Sequence, residues 1–460
     1  MPKILEIVKI LKSKKNILDI ILVRGWVKTR RDSKLGISFI SIHDGSCLNS
    51  LQIIAKKKNI KNYSNEILKL NSGCSIEVLG TVVKSIGKKQ KYEVLAKKIK
   101  VLGLVKNPEK YPISSKNHTL EYLREVAHLR PRTNIIGAIT RIRNTVSYAI
   151  HRFMYEKGFY WISTPIISTS DAEGAGKTFL IYTEYLKNQK ISYSKTKFFG
   201  KKTFLTVSGQ LNAESYACAL SKVYTFGPTF RAENSNTTRH LSELWMVEPE
   251  MAFIDLKKII HFSEKMLKYI FQFVLLERYE DLKFLSRKNS SIITRIENFI
   301  NTKMKVIEYS DAIEILNQEK KYSNFLWGQD LSIEQEKFLS NEYFNSIVAI
   351  KNYPKSIKAF YMRINKDKKT VSSFDIITPE IGEIIGGSQR EERLKFLDKR
   401  IKECKLKKEE YWWYRDLRKY GTVPHSGFGM GLERLVCFIT GMKNVRDTIP
   451  FPRSRNQAEF

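Results

Sequence analysis

The chain has 460 residues and a mass of 53.6 kDa, enough for two or three domains that each bury a core. Lys and Arg outnumber Asp and Glu by 80 to 47, a formal charge of +33, which favours a polyanionic partner such as nucleic acid, although solvated lysines from A- and T-rich coding would give the same balance. Five scattered cysteines without Cys-x-x-Cys spacing exclude a disulfide framework or zinc ribbon, and no stretch nears the ~20 apolar residues of a membrane span, so a cytoplasmic protein with no membrane contact is expected.

From Asp19 to about Val101, the β-branched and aromatic runs DIILVRGWVKTR, ISFISIH, LNSLQIIA, SIEVLGTVV and KYEVLAKKIKV are separated by Gly36, Asp44-Gly45, Gly73 and Gly87. KNYSNEILKL, between the third and fourth runs, is helix-like. Five strands with a helix after the third is the order of an OB-fold β-barrel, which binds nucleic acid; a small barrel with no ligand fits the same pattern. Residues 106–128, with Pro108, Pro112 and a Ser-Ser-Lys-Asn-His run, read as a linker between domains at 1–105 and 129–460.

Beyond the linker, Ile139, Ile142, Val146, Ile150 and Phe153 recur at helical spacing, Gly158 ends that helix, and FYWISTPII reads as a strand. Residues 207–253 read mainly as strands and loops. A long amphipathic helix follows over 257–280, with Ile260, Leu267, Phe271 and Val274 on one face, and 289–335 reads as an inserted helical lobe. Strands return at AIKNYP, AFYMRI and SSFDIIT, and GLERLVCFITG closes the chain with a helix. The fold class is α+β, with the large domain built on an antiparallel sheet flanked by helices.

The stretch FRAENSNTTRHLSELWMVEPE, 230–250, concentrates charges of both signs around a turn-rich insert. If it is a hairpin, Arg231 and Glu233 share one face of the first strand, and Glu248 and Glu250 share one face of the second. Buried charges on those faces need partners or a ligand carrying both signs; an exposed ion-pair ladder is the other account. GEIIGGSQREERL sets Glu383 and Arg390 around a Gly-Gly pair, and GFGMGLERL places Arg434 one turn into a helix, where a guanidinium can stack on a base or grip phosphate. The latter glycines lack the GxGxxG spacing of a dinucleotide site.

Together, FRAE…RH, GEIIGG and GMGLERL resemble motifs 2 and 3 of class II aminoacyl-tRNA synthetases, and the helix and strand ending at Pro165 resemble motif 1. GWVKTRRDSKLGISFISIHDGS, DAEGAGKTF, SGQLNAESYA, EIIGGSQREERL and YWWYRDLRKYGTVPHSGFGMGLERL extend the likeness over nearly the whole chain, within the aspartyl/asparaginyl branch and most closely with the asparaginyl enzymes. The resemblance implies two displacements: an amino-acid carboxylate attacks the α-phosphorus of ATP, and a tRNA 3′-terminal hydroxyl then takes the aminoacyl group. Both depend on positioning and charge stabilisation rather than a nucleophilic side chain.

By that resemblance, Arg231 holds the α-phosphate, Glu233 the adenine amino group, Arg239 and His240 the outer phosphates, and Arg434 the second adenine face and the γ-phosphate. Arg231 and Arg434 are the implied catalytic pair. Glu383 and Asp375 hold Mg²⁺. Leu244 stands where relatives have an adenine-stacking Phe, and Lys177 where they often have an acidic residue. Ser208, Gln210 and Glu173 surround the substrate ammonium, Arg390 donates to the side-chain carbonyl, and Glu248 accepts from the side-chain NH₂. Ala213 replaces the lysine of aspartyl relatives, which favours L-asparagine over aspartate. On the barrel, Phe39 and Gln52 face the anticodon of tRNA(Asn), with Arg30, Arg31 and Lys34 on its backbone, although solvated loop charge accounts for Lys34 equally well. A homodimer through motif 1 is implied. Two rivals remain: an enzyme using aspartate, with or without tRNA, and a synthetase-like binding protein. The first fits poorly with Ala213 and a complete barrel, the second with the retained Arg231, Arg239 and Arg434.

Overall fold

The computed structural model describes the chain except for residues 1–2, 14–19, 88–89, 114–116, 170–177, 183, 188–189, 194–197, 236, 288–290 and 323, so Glu173 and Lys177 lie outside the described residues. It divides into two compact units, Met1–Thr140 with Phe460, and Arg141–Glu459.

In the first unit, β1 (Ile20–Ser33), β2 (Ile37–His43), β3 (Leu51–Lys56), β4 (Ser75–Lys84) and β5 (Tyr92–Gly103) pair in the order β1-β2-β3-β5-β4, and β4 returns to β1 to close a barrel. Of these five strands, β3 and β5 pair in parallel, and Lys3–Ile4 adds a short parallel pairing to β1. Alternation sends Val23, Ile40, Ile42, Ile53, Ile76, Val78 and Val94 inward, where they are fully buried. At Gly80 a side chain would strike the Leu95 carbonyl, at 2.5 Å from a Cβ, so glycine lets β4 and β5 meet closely. The helix expected between β3 and β4 is instead two short 3₁₀ turns, Lys57–Asn59 and Ile67–Lys69. Asn62 explains the break: its amide donates to Glu66 and to the Ile99 carbonyl, competing with helical pairing, while Ile60, Tyr63, Ile67 and Leu70 plug the barrel.

The second unit is an eight-stranded sheet: β6 (Tyr160–Trp161), β7 (Lys222–Phe230), β8 (Glu243–Ala252), β9 (Lys305–Glu308), β10 (Val348–Lys351), β11 (Ser373–Thr378), β12 (Gly382–Gln389) and β13 (His425–Gly431), in the order β9-β10-β11-β12-β13-β8-β7-β6. The interior pairs are antiparallel, as expected, but both edge pairs, β9·β10 and β6·β7, are parallel, so the sheet is mixed. Helix α1 (Asn134–Glu156) precedes β6. The long helix α3 (Leu256–Leu285) buries Ile260, Leu267, Phe271 and Val274 as its periodicity required.

Three expectations change here. A helix, α2 (Gln210–Leu220), interrupts the region read as strands and loops; its Gln, Leu, Ala and Glu are strong helix formers, but burial of Leu211, Ala213, Glu214 and Ala217 erases an amphipathic stripe. The region 289–335 is not a lobe apart: α4 (Ser291–Asn301) and α5 (Tyr309–Gln318) flank β9, which joins the sheet edge, and α6 (Ile333–Lys337) follows. AFYMRI makes only isolated bridges, Met362 with Arg390 and Ile364 with Val371. Three helices complete the unit: α7 (Leu394–Glu403), α8 (Trp412–Lys419) and α9 (Leu432–Thr440).

Candidate active site

One face of β8 carries Leu244, Met246, Glu248 and Glu250, because alternate residues share a face. The strand β7 ends at Phe230, so Arg231 and Glu233 lie beyond it in a loop rather than on a strand. Turn-forming side chains build that loop: the Thr237 and Ser235 hydroxyls meet His240 Nδ1 at 2.5 and 3.1 Å, and Thr237 Oγ1 accepts from the Arg239 backbone at 3.3 Å.

The loop brings charged groups over the sheet. A cleft is lined by Arg231, Glu233, Arg239, His240, Leu244, Glu383 and Arg434, with Met246, Gly429 and Gly431 at its floor. Arg434, in the first turn of α9, donates to the Glu383 carbonyl at 3.0 Å and its carboxylate at 3.3 Å. His240 Nε2 lies 3.7 Å from Glu233, and burial lowers the His240 pKa. Arg239 reaches Glu336 of α6 at 3.4 Å, and Glu336 in turn accepts from the Glu383 backbone at 3.1 Å. Gly382 has φ +79°, and any side chain there would strike Glu336 and crowd the Arg239 guanidinium, so glycine is required at that point on backbone and steric grounds.

Of the Gly-Gly pair, only Gly386 opens toward the site. A Cβ on Gly386 would stand 2.9 Å from Glu383 Oε1 and 3.4 Å from Asp375 Oδ1, whereas Gly387 is packed between Phe374 and Phe428. The carboxylates of Asp375 and Glu383 thus converge over Gly386, two oxygen donors suited to a hard divalent cation that takes its remaining ligands from phosphate and water; among the described residues no group of three or more His, Cys, Asp or Glu forms a cage. Burial pushes Asp375 up to about 6 against the pull of Lys358, whose ammonium sits 2.5 Å away. For Glu383, burial acts upward, but Arg434, Lys358, Arg239 and Arg231 together hold it below its ordinary value.

Beside this cleft lies a second group. The Ser208 hydroxyl donates to Glu248 Oε1, the Gly209 backbone donates to Oε2 at 2.9 Å, and the Gln210 backbone donates to Ser208 Oγ at 3.1 Å. Arg390, expected to donate to the substrate side-chain carbonyl, is 2% exposed. Its guanidinium is bound bidentately by Glu250, with Nε 3.1 Å from Oε2 and Nη2 on Oε1, while Nη1 donates to Ser388 at 2.7 Å. The reason is register: Glu250 stands opposite Gly427 of β13, whose missing side chain leaves space for the carboxylate, and Arg390 follows the neighbouring β12. Burial pushes Glu250 up to about 8 and Arg390 opposes it; the fork geometry is that of an ionised pair. Ala213 is fully buried and packs with Ala217 and Val223.

Sequence reasoning assigned no role to Glu250, Glu214, Lys358, Glu336, Tyr414, Arg418 or His425. Glu250 was visible as the second acidic residue on the Glu248 face, and Tyr414, Arg418 and His425 stand in the quoted YWWYRDLRKYGTVPHSGFGMGLERL stretch; spacing alone assigned none of them a partner.

On the barrel, Phe39 of β2 and Gln52 of β3 both point outward, half-buried, on adjacent strands, with Arg31 opposite Phe39. Gln52 donates to Glu93 at 2.8 Å. Arg30 is engaged elsewhere: it donates to the Ile67 carbonyl at 2.7 Å and pairs with Asp32 at 3.2 Å, so it braces the β3–β4 connection. Lys34 is exposed.

The family described as tRNA synthetases class II (D, K and N) matches residues 119–455, and the OB-fold nucleic acid binding domain matches residues 21–102. The asparagine–tRNA ligase of Baumannia cicadellinicola subsp. Homalodisca coagulata is 60% identical over 449 residues, 96% of each chain, and that of Haemophilus influenzae (strain PittEE) is 56% identical over 469 residues, all of each chain. The crystal structure of asparaginyl-tRNA synthetase from Pyrococcus horikoshii complexed with asparaginyl-adenylate superposes with a TM-score of 0.88 at 31% identity, covering 100% of both chains.

Proposed function

The chain belongs to the class II tRNA synthetases (D, K and N), and on that premise we propose that it joins L-asparagine to tRNA(Asn) using ATP. The asparagine carboxylate oxygen attacks the α-phosphorus and diphosphate leaves; the tRNA 3′-terminal hydroxyl oxygen then attacks the aminoacyl carbonyl and AMP leaves. No protein nucleophile is needed. Arg231 and Arg434 neutralise charge growing on the phosphate oxygens, Arg239 and His240 hold the outer phosphates, Glu233 accepts from the adenine amino group, and Leu244 packs the base against Arg434. Mg²⁺ bound by Glu383 and Asp375 would add positive charge on the same oxygens.

The single observation that carries substrate choice is the Arg390–Glu250 pair. A carboxamide offers an acceptor to the guanidinium and a donor to the carboxylate, whereas a carboxylate offers only acceptors. Glu250 therefore takes the amide-reading role expected of Glu248. Glu248, already accepting from Ser208 and Gly209, joins Ser208 and Gln210 around the ammonium.

ATP–diphosphate exchange with Asn against Asp tests the reading. Exchange should depend on Asn, and Glu250→Gln should lower kcat/KM for Asn by roughly 30- to 100-fold, as expected for an unpaired group in a buried site. No Asn-dependent exchange in the wild type would remove the function. Discrimination unchanged in Glu250→Gln would remove the residue assignment.

A homodimer and a cytoplasmic setting belong to the same reading. Tyr148, Tyr155, Tyr160, Trp161, Ile166 and Ile167, on α1 and just after it, are all at least 42% exposed, an apolar surface suited to a second copy of the chain.

A further inference from the structure

Behind the amino-acid pocket is a fully buried carboxylate that the reaction above does not use. Glu214, in α2, is 0% exposed and accepts from Tyr414 Oη at 2.7 and 2.9 Å, from Arg418 Nη2 at 2.9 Å and from Gln210 Nε2 at 3.1 Å, with His425 Nε2 2.9 Å away. Arg390 Nε lies 3.9 Å from its Oε1. Burial alone would raise its pKa, yet Arg418, His425 and Arg390 hold it well below the ordinary carboxylate range.

Its position touches both halves of the pocket. Through Gln210 it reaches the ammonium side, and through Arg390 the side-chain end. Arg390 therefore faces two carboxylates, Glu250 in direct contact and Glu214 beyond, and three of its N–H groups are already committed to Glu250 and Ser388. A guanidinium so placed still donates to a neutral carbonyl oxygen, but with Arg418 bonded to Glu214 the two guanidinium groups are already matched by two carboxylates, and a substrate carboxylate would be a third anion beside two cations.

We propose that Glu214 is a positioning residue for substrate choice: together with Glu250 it balances the charges of Arg390 and Arg418, so that the pocket accepts a carboxamide and rejects a carboxylate. This rests on the asparagine reading above and deepens it. No side chain of the substrate need touch Glu214, since the effect passes through Arg390 and Gln210.

The test measures kcat/KM for Asn and for Asp in ATP–diphosphate exchange by the full-length protein, for wild type, Glu214→Gln, Glu214→Asp and Tyr414→Phe. Glu214→Gln removes the charge and should cut the Asn-over-Asp ratio by about tenfold, through a gain with Asp as well as any loss with Asn. Glu214→Asp keeps the charge but withdraws it from Arg390, and should cut the ratio by about threefold. Tyr414→Phe removes a hydrogen bond and no charge; the ratio should stay within about twofold of wild type even if both rates fall. A merely structural Glu214 would depress both substrates in parallel and leave the ratio alone, and that result in whichever Glu214 variant folds would overturn the proposal. Absence of Asn-dependent exchange in the wild type is a different failure, of the functional reading itself.

Discussion

At the scale of single residues, the nucleotide cleft is decided by guanidinium groups and one aliphatic side chain. Leu244 lines the cleft beside Met246 and Arg434, where an aromatic ring would add stacking worth about 0.5–1.5 kcal/mol. Leu244→Phe should therefore lower the KM for ATP by roughly two- to tenfold in diphosphate exchange; an unchanged KM would mean that contacts already in the cleft make the ring redundant. Charges of both signs in this cleft were legible in sequence because the motif residues stand in three short stretches. The partner of Arg390 was not. Glu248 and Glu250 lie on one face of one strand, and nothing in a period of two distinguishes them; the tertiary structure does, because the Glu250 carboxylate fills the space over Gly427, next to Ser426, which pairs with Gln389 just before Arg390.

At the scale of elements, the helices that carry no ligand residues are fixed by polar ties as much as by apolar stripes. Glu264 of α3 accepts from the Met304 backbone at 3.0 Å and from Lys268 at 3.0 Å, pinning the turn between α4 and β9 to the long helix. Burial acts to raise the Glu264 pKa, but the Met304 N–H and Lys268 outweigh it and the pKa is lowered. A carboxyl with a lowered folded pKa stabilises the fold above its unfolded titration, and that contribution is lost as pH falls through the folded value. Glu264→Gln should then lower Tm by about 2–4 °C near pH 7, with a difference from wild type that shrinks as pH falls below the ordinary carboxylate range. A pH-independent difference in thermal scans would contradict the charge assignment. The long helix was readable because one side is apolar at every turn. Helix α2 was missed because it is buried on several sides, and the polar Glu214 among its buried residues hides the helical period.

At the scale of the whole molecule, the two units divide the expected work. If the barrel reads the anticodon through Phe39, Phe39→Ala should raise the KM for tRNA by on the order of tenfold or more, as loss of one base stack does. Asn-dependent diphosphate exchange, which needs no tRNA, should be unchanged; equal loss in both assays would place the effect in folding, and no loss in either would remove Phe39 from the interface. The sequence by itself determined the barrel, the broad α+β division and the stretches that hold nucleotide-binding charge, because strand alternation, glycine punctuation and motif spacing are local. Only the tertiary structure decided that Arg390 belongs to Glu250, that Arg30 is engaged by Ile67 and Asp32, and that the buried anion Glu214 stands behind the pocket. Those pairings join strands and helices far apart in the chain, and which charge compensates which is set by register and burial, not by order along the sequence.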